Sequence, residues 1–198
     1  ILNFYDGIKL HELDLCNVMA AKARVELEPA YSKVAARLML DIIYRETVGI
    51  SGDHASFTAA HREYFKSYLE RAVKIDRIDA KLLEMNLDKL ANAIDIARDD
   101  KFGYLGVQTL YDRYLIHEKE VRLETPQIFW MRVSMGLALN EKKDVREDRA
   151  IDFYNVLSQF LFTSSTPTLF NAGTTHSQLS SCYLSTVMDD LGHIFKVI

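Results

Sequence analysis

Apolar residues recur at intervals of three and four positions along most of the chain, the spacing of one face of an α-helix. Glycine and proline, which interrupt helices, are scarce: the 198 residues include 8 glycines and 3 prolines. The pattern therefore predicts a mainly α-helical protein. The predicted helices span about residues 13–28, 32–48, 58–74, 79–97, 125–139 and 147–162.

Local signals indicate where several of these helices begin and end. Ser32 is expected to cap the second helix and Gly49 to stop it. Thr125-Pro126 predicts a helix start, because a proline in the first turn loses no hydrogen bond. Residues 114–117 and 121–123 flank a charged tip, which is typical of a short β-hairpin.

The character of the sequence changes after residue 162. Residues 163–175 are rich in serine and threonine, with Pro167 and Gly173 as breakers, and residues 179–187 are rich in β-forming side chains. We therefore expect an all-helical domain up to about residue 162, followed by a loop-and-strand segment that is too short to bury a core of its own.

Composition and charge narrow the class of protein. With 48% hydrophobic residues the chain can bury a sizeable core, and a net charge of −4 gives no reason to expect binding to nucleic acid or to an acidic membrane. No apolar run approaches the roughly 20 residues needed to span a bilayer. The first residues lack a signal peptide and neither end carries a boundary signal. We expect a fragment of a cytoplasmic protein.

The cysteines and histidines do not form a recognisable metal or disulfide pattern. Cys16 and Cys182 are the only two cysteines, and reduced thiols are the expectation for such a pair in a cytoplasmic protein. Cys16 lies on the apolar face of a predicted helix and is expected in the core. His54 and His61 are expected to be solvated, because no third metal ligand is near them.

The segment around Cys182 has the groups for a chemical site. The hydroxyls of residues 166–175, with backbone amides near Gly173, could bind phosphate oxygens, and a thiol held on a strand could face a substrate. The same pattern is also typical of ordinary turns and of a buried structural cysteine. The residue types alone leave both interpretations open.

The block at residues 165–174 (STPTLFNAGT), followed by residues 178–184 (QLSSCYL), closely resembles the first barrel strand of class I ribonucleotide reductase large (alpha, catalytic) subunits. Residues 100–106 (DKFGYLG) and 131–136 (MRVSMG) resemble the helical domain of that family. Residues 28–32 (EPAYS) resemble the segment that joins it to the regulatory ATP-cone.

This resemblance implies a mainly α fold in which an all-helical N-terminal domain precedes the first strand of a ten-stranded α/β barrel. The implied divisions are 1–48 (remnant of the ATP-cone and linker helices), 49–162 (all-α domain) and 163–198 (start of the catalytic barrel). Because the remaining catalytic residues of the family lie downstream, this segment alone is expected to be inactive.

The family reduces ribonucleoside diphosphates to 2′-deoxyribonucleoside diphosphates by thiyl-radical chemistry, for the synthesis of DNA precursors. Cys182 matches one of the two cysteines that supply the electrons and close into a disulfide, its partner lying downstream. Thr166 and Ser181 match positions that bind the substrate.

The resemblance also implies effectors and partners. Asp189 matches the start of the effector-binding loop; Asp190 and Leu191 follow in the same stretch, where the sequence departs from the commoner pattern. We expect no cofactor or metal in this segment. ATP and deoxynucleotides would act as allosteric effectors, and a dimetal-containing small (beta) subunit would supply the radical. The expected partners are a second alpha subunit, thioredoxin or glutaredoxin, and a nucleoside diphosphate.

Two alternatives remain open at this point. Cobalamin-dependent class II reductases share a similar Thr-Pro-Thr-Leu block, although Ser-Ser-Cys-Tyr-Leu and the ATP-cone remnant favour class I. A different class of protein is a helical interaction or scaffold module in which Cys182 is an inert core residue.

Overall fold

The computed structural model describes residues 5–50 and 54–198. Helices dominate this part of the chain, and the regular sheet within it is a single antiparallel β-hairpin. The predicted mainly α fold is confirmed. In chain order the elements are α1 (Leu10–Lys22), α2 (Tyr31–Thr47), α3 (His54–Lys74), a 3₁₀ helix (Ala80–Glu84), α4 (Leu87–Ala93), a second 3₁₀ helix (Ile96–Lys101), α5 (Tyr104–Arg113), β1 (His117–Glu118), β2 (Val121–Arg122), α6 (Pro126–Ala138), α7 (Arg146–Ser158), α8 (Thr166–Asn171) and α9 (Leu191–Val197).

Several elements lie where the sequence pattern predicts them. Helices α2, α3, α6 and α7 fall within or close to the predicted spans, and the hairpin pairs His117 with Arg122. Helix α1 ends at Lys22, earlier than predicted, and turns follow it up to Leu27. Gly49 follows the end of α2 with a φ of +78°, a conformation that glycine adopts without strain. Pro126 occupies the first turn of α6. Residues 1–4, at the start of the predicted ATP-cone remnant, lie outside the described residues.

The prediction that Ser32 caps α2 is wrong. The helix begins one residue earlier, at Tyr31, and has no side-chain cap. The Ser32 hydroxyl instead accepts a hydrogen bond from the backbone N–H of Tyr104 at 3.1 Å. That N–H belongs to the first turn of α5, where backbone donors have no partner within the helix. Ser32 therefore joins two helices rather than starting one.

The predicted helical stretch 79–97 is divided into two 3₁₀ helices and the short helix α4. Asp79, Asn86 and Asp95 each accept a hydrogen bond from a nearby backbone N–H and start a new element. Such residues compete with a continuous helix for the backbone donors. The apolar spacing continued through these breaks, which is why periodicity alone predicted one stretch.

The C-terminal segment also differs from the expected loop and strand. Residues 166–171 form the short helix α8, with Pro167 in its first turn. Residues 179–187, expected as a strand, adopt no regular secondary structure, and in the described part of the chain no strand pairs with them. A strand needs a neighbour for its backbone hydrogen bonds. The division into an all-α domain and a barrel start remains a prediction.

Helix α6 lies at the centre of the core. Most of its residues are buried, including Phe129, Trp130 and Val133, and it packs extensively against α7. The helix is apolar on nearly all sides, as expected for one enclosed by other elements. Its one charged side chain, Arg132, is also fully buried.

Two titratable side chains are buried in the same core. His61, predicted to be solvated, is fully buried on α3: its Nδ1 lies 2.7 Å from the carbonyl oxygen of Phe57. The prediction failed because His61 falls on the apolar face of α3, one turn after Phe57. The side chain of His54 lies outside the described residues. Asp99, also fully buried, accepts hydrogen bonds from Tyr44 and Gln127.

Burial shifts the pKa values of these two groups in opposite directions. Desolvation lowers the pKa of His61 from 6.5 to about 4, so this group destabilises the fold as the pH falls through that interval. Desolvation raises the pKa of Asp99 from 3.8 to about 7. Protonated Asp99 therefore stabilises the fold at low pH, and this contribution is lost as the pH rises through that interval. Between about pH 4 and 6.5 the two effects offset each other.

Asp99→Asn is expected to reveal the pH dependence of stability that the buried His61 causes. The free energy of unfolding of this variant should fall by roughly 1.4 kcal/mol per pH unit, relative to the wild type, as the pH is lowered from about 6.5 to about 4. Urea unfolding across that range measures it. The reciprocal variant His61→Gln should instead lose stability as the pH rises. Parallel profiles for all three proteins would contradict both shifts.

Candidate active site

A cleft of about 640 Å³, lined by both polar and apolar side chains, lies between the helical part of the chain and the segment that follows α8. Its volume is within the range of small-molecule sites. One wall comes from the end of α5 and the start of the hairpin, and the other from α8 and the chain after it. The lining residues are Asp76, Arg77, Arg113, Tyr114, Leu115, Ile116, His117, Thr166, Pro167, Phe170, Asn171, Thr174, Thr175, His176, Gln178, Ser180 and Ser181.

The two residues predicted to bind substrate, Thr166 and Ser181, both line this cleft. The chain between them folds back onto α8 through two hydrogen bonds. The Thr168 hydroxyl donates to the carbonyl of Leu179 at 3.2 Å, and the Asn171 amide donates to the carbonyl of Gln178 at 2.7 Å. These bonds bring Ser181 to the wall that carries Thr166.

The opposite wall is joined to α8 by an aromatic contact. The rings of Tyr114 and Phe170 stack with centroids 4.5 Å apart and an interplanar angle of 17°. The Tyr114 hydroxyl lies 3.4 Å from Oγ1 of Thr166, which is longer than an ordinary hydrogen bond between hydroxyls. Thr166 itself is exposed and lines the cleft.

Two arginines in the cleft were missed by the sequence analysis. Arg77 and Arg113 both line it, and within residues 5–50 and 54–198 neither side chain has an ion-pair partner. They follow α3 and end α5, far from residues 166–181 in sequence, so only the tertiary fold brings them to this site. Arg113 stands in Arg-Tyr-Leu at the start of the predicted hairpin, which was the available signal.

Cys182 follows Ser181 directly, and its side chain is exposed. Its sulfur lies 4.0 Å from Oγ of Ser181, although Cys182 is not itself among the residues that line the cleft. The alternative in which Cys182 is an inert core residue is wrong on this point, because nothing in the described chain encloses it. Cys16, expected in the core, is partly buried, and both thiols are free.

The predicted effector residues Asp189, Asp190 and Leu191 are exposed and lie outside the cleft. Asp190 is the N-cap of α9, where its carboxylate accepts a hydrogen bond from the backbone N–H of His193 at 2.8 Å. Asp189 precedes this cap at a bend. These three residues are thus not part of the cleft that Thr166 and Ser181 line.

Neither a metal cluster nor a membrane span is found in the part of the chain that the structure describes. No group of three or more His, Cys, Asp or Glu side chains there is arranged to hold a metal ion. Among the same residues, no helix combines the length and the apolar character needed to cross a membrane.

One protein family and several known proteins are similar to this chain in sequence. Residues 100–177 match the family "Ribonucleotide reductase, all-alpha domain". Across almost its whole length the chain is similar to proteins named ribonucleoside-diphosphate reductase subunit alpha: 54% identical over 197 residues to that of Chlamydia trachomatis (99% of this chain, 18% of the relative) and 36% identical to that of Helicobacter pylori strain 26695 (98% of this chain, 24% of the relative).

A eukaryotic relative is also similar to the whole chain, at lower identity. The ribonucleoside-diphosphate reductase large subunit of Plasmodium falciparum is 33% identical over 199 residues, covering 100% of this chain and 24% of the relative. The chain thus spans about a fifth of the length of the relatives that it matches. On the match of residues 100–177 and the similarity of nearly the whole chain to one part of these subunits, the chain belongs to the family of ribonucleotide reductase large (alpha) subunits.

Proposed function

We propose that this chain supplies one side of the active site of a ribonucleoside-diphosphate reductase alpha subunit, which makes 2′-deoxyribonucleotides for DNA synthesis. The observation that carries the proposal is the cleft itself. Thr166 and Ser181, which match substrate-binding positions in the resemblance to the family, both line the same cleft, next to Cys182.

The polar groups of the cleft suit an anionic substrate. Hydroxyls such as those of Thr166 and Ser181 can donate to phosphate oxygens, and the guanidinium groups of Arg77 and Arg113 offer several N–H donors each. Hydrogen bonds to a charged partner are roughly twice as strong as neutral ones. A nucleoside diphosphate bound by its phosphates would place its ribose toward the chain that leads to Cys182.

The proposed role of Cys182 is to supply half of the reducing equivalents. Its thiol and that of a second cysteine, outside this chain, would lose two electrons and two protons as their sulfurs join in a disulfide. The two electrons reduce the ribose, and the 2′-hydroxyl leaves as water. A radical from a dimetal small subunit would start the reaction by generating a thiyl on a third cysteine. A thioredoxin or glutaredoxin would then reduce the disulfide.

The remaining assignments are also proposals. Asp189, with Asp190 and Leu191, would contact a deoxynucleotide effector at the interface of an alpha homodimer, and ATP would act as a further effector. The class I assignment is supported by the relatives, whose names specify the diphosphate substrate and an alpha subunit. We place the protein in the cytoplasm, with residues 1–48, 49–162 and 163–198 as its divisions.

Thr166→Val and Ser181→Ala in the complete alpha subunit test the cleft. Each variant should raise the KM for cytidine diphosphate about 10- to 100-fold, because a hydrogen bond to a charged group contributes about 1.5–3 kcal/mol. The kcat should change much less. Steady-state assays with the small subunit and effector measure both constants.

In the same assay, Asp189→Ala should weaken the effector's control of substrate choice.

Matched controls lie outside the cleft in the same chain. Thr109→Val on α5 and Ser177→Ala after α8 each remove an exposed hydroxyl that does not line the cleft, and both should leave the KM unchanged. If Thr166→Val and Ser181→Ala behave like these controls, the cleft is not the substrate site.

A further inference from the structure

Arg132 and Glu124 form an ion pair in which both side chains are completely buried. Nε of Arg132 lies 2.8 Å from Oε1 of Glu124, and Nη2 lies 3.2 Å from Oε2, so the two planar groups meet side by side. Tyr68 of α3 also donates its hydroxyl to Oε1. Each charge in this apolar core is therefore fully paired.

The remaining donor of Arg132 reaches the chain that forms one wall of the cleft. Nη1 lies 2.9 Å from the carbonyl oxygen of Ala172, 3.2 Å from that of Leu169 and 3.4 Å from that of Phe170. These carbonyls belong to the end of α8, where they have no donor within the helix. Arg132 thus caps the C-terminal end of the helix that begins with Thr166.

Glu124 reaches the opposite wall. Its Oε2 accepts a hydrogen bond from the backbone N–H of Ile116 at 2.8 Å. Ile116 lines the cleft on the hairpin side, and Phe170 lines it on the α8 side. The ion pair is therefore a continuous, directional link between the two walls, located beneath the cleft.

A close backbone approach adds a second constraint on α8. A Cβ atom placed on Gly136 would lie 2.1 Å from the backbone nitrogen of Gly173 and 2.5 Å from the carbonyl carbon of Ala172. No side chain fits there, so α6 lies directly against the turn that follows α8. Gly136 and Arg132, one turn apart on α6, contact the same short stretch.

We propose that the Arg132–Glu124 pair, together with Gly136, sets the width of the cleft and so positions Thr166 for the substrate's phosphates. This inference rests on the proposed function of the cleft. Stability alone does not require the charges, because a well-packed apolar pair often stabilises a core as well as a buried ion pair does. What apolar side chains cannot supply is a set of directional bonds to both walls. Arg132 is thus a positioning residue, with no direct contact to substrate.

The test compares Arg132→Lys and Gly136→Ala, which alter the contacts that join the two walls of the cleft, with Tyr68→Phe, which removes only a hydrogen bond to Glu124. Arg132→Lys keeps the charge but loses the planar fork that bonds Glu124 and the α8 carbonyls together. Gly136→Ala displaces the turn after α8 without touching the ion pair. In the complete alpha subunit each should raise the KM for cytidine diphosphate about tenfold, with kcat within about twofold of the wild type.

Two controls separate positioning from general loosening of the fold. Tyr68→Phe removes a hydrogen bond to Glu124 from a helix position that does not line the cleft, so it should lower the unfolding temperature but leave the KM unchanged. Gly106→Ala adds a methyl group on α5 beside the ring of Phe102 alone and should leave the KM unchanged.

Three outcomes decide the matter. A raised KM in Arg132→Lys and Gly136→Ala, absent from Tyr68→Phe, supports the inference. An equal rise in Tyr68→Phe, or no rise in folded Arg132→Lys and Gly136→Ala, overturns it while the effect of Thr166→Val persists. If Thr166→Val also leaves the KM unchanged, the proposed substrate cleft itself is at fault. Should Arg132→Lys or Gly136→Ala not fold, Glu124→Gln takes its place: it weakens the bonds to Arg132 while keeping nearly the same side-chain size, so the inference expects it to raise the KM, and an unchanged KM overturns it.

Discussion

Cys182→Ser in the complete alpha subunit is expected to abolish multiple turnover with a thioredoxin-type reductant. The loss should be about a thousandfold or more, because a serine hydroxyl cannot close a disulfide with the second cysteine. The steady-state rate of deoxynucleotide formation measures it. Binding of the nucleoside diphosphate should be nearly unchanged, since Ser181 rather than Cys182 lines the cleft.

The second cysteine of the chain provides the matched control. Cys16 lies on α1, and its thiol is free and partly buried. Cys16→Ser should therefore retain the wild-type rate of turnover. Full activity in Cys182→Ser, or an equal loss in both variants, would contradict the redox role of Cys182.

Arg132→Met is expected to destabilise the chain by about 3–5 kcal/mol, because it leaves Glu124 without its ion-pair partner at a completely buried position. The carbonyls at the end of α8 also lose their donor. For a chain of this size, the unfolding temperature should fall by about 2–4 °C for each kcal/mol. Urea and thermal unfolding of the same variant measure the change.

Two further variants show whether the loss of stability in Arg132→Met arises from the unpaired charge of Glu124. Glu124→Gln combined with Arg132→Met should recover part of the lost stability, since the double variant buries no charge. Arg71→Met removes an exposed arginine that pairs with Glu118 at 2.6 Å, and should cost no more than about 1 kcal/mol. Equal losses of stability in Arg71→Met and Arg132→Met would contradict the expectation that breaking the buried ion pair costs more than breaking an exposed one.

The helices could be predicted because their apolar spacing is a local property of the sequence. The pattern for α2, α3, α6 and α7 survives in the fold, and the hairpin formed where two β-like runs flanked a charged tip. The stretch 79–97 could not be predicted in the same way. There the apolar spacing indicated one continuous helix, while side-chain caps at Asn86 and Asp95 interrupted it twice.

The site was predictable only in part. Thr166, Ser181 and Cys182 were found through family resemblance, and the fold places the first two in one cleft. Arg77 and Arg113 could not be found, because their closeness to that cleft depends on how α3 and α5 pack against residues 166–181.

The buried pair beneath the cleft had one local signal. Arg132 is the single charged side chain in a helix that is otherwise almost wholly apolar, and such a residue needs a buried partner. The sequence did not indicate which carboxylate would provide it. Glu124, two residues before the helix, pairs with Arg132 along the first two turns of α6.

The thiol state of Cys182 after a single turnover tests the proposed function most directly. The complete, reduced alpha subunit would be given its small subunit, effector and substrate without any external reductant, then alkylated, digested and analysed by mass spectrometry. We predict that the Cys182 peptide is alkylated before turnover and afterwards is unlabelled and disulfide-linked to a second cysteine. Equal alkylation of Cys182 before and after product formation would contradict its role as an electron donor.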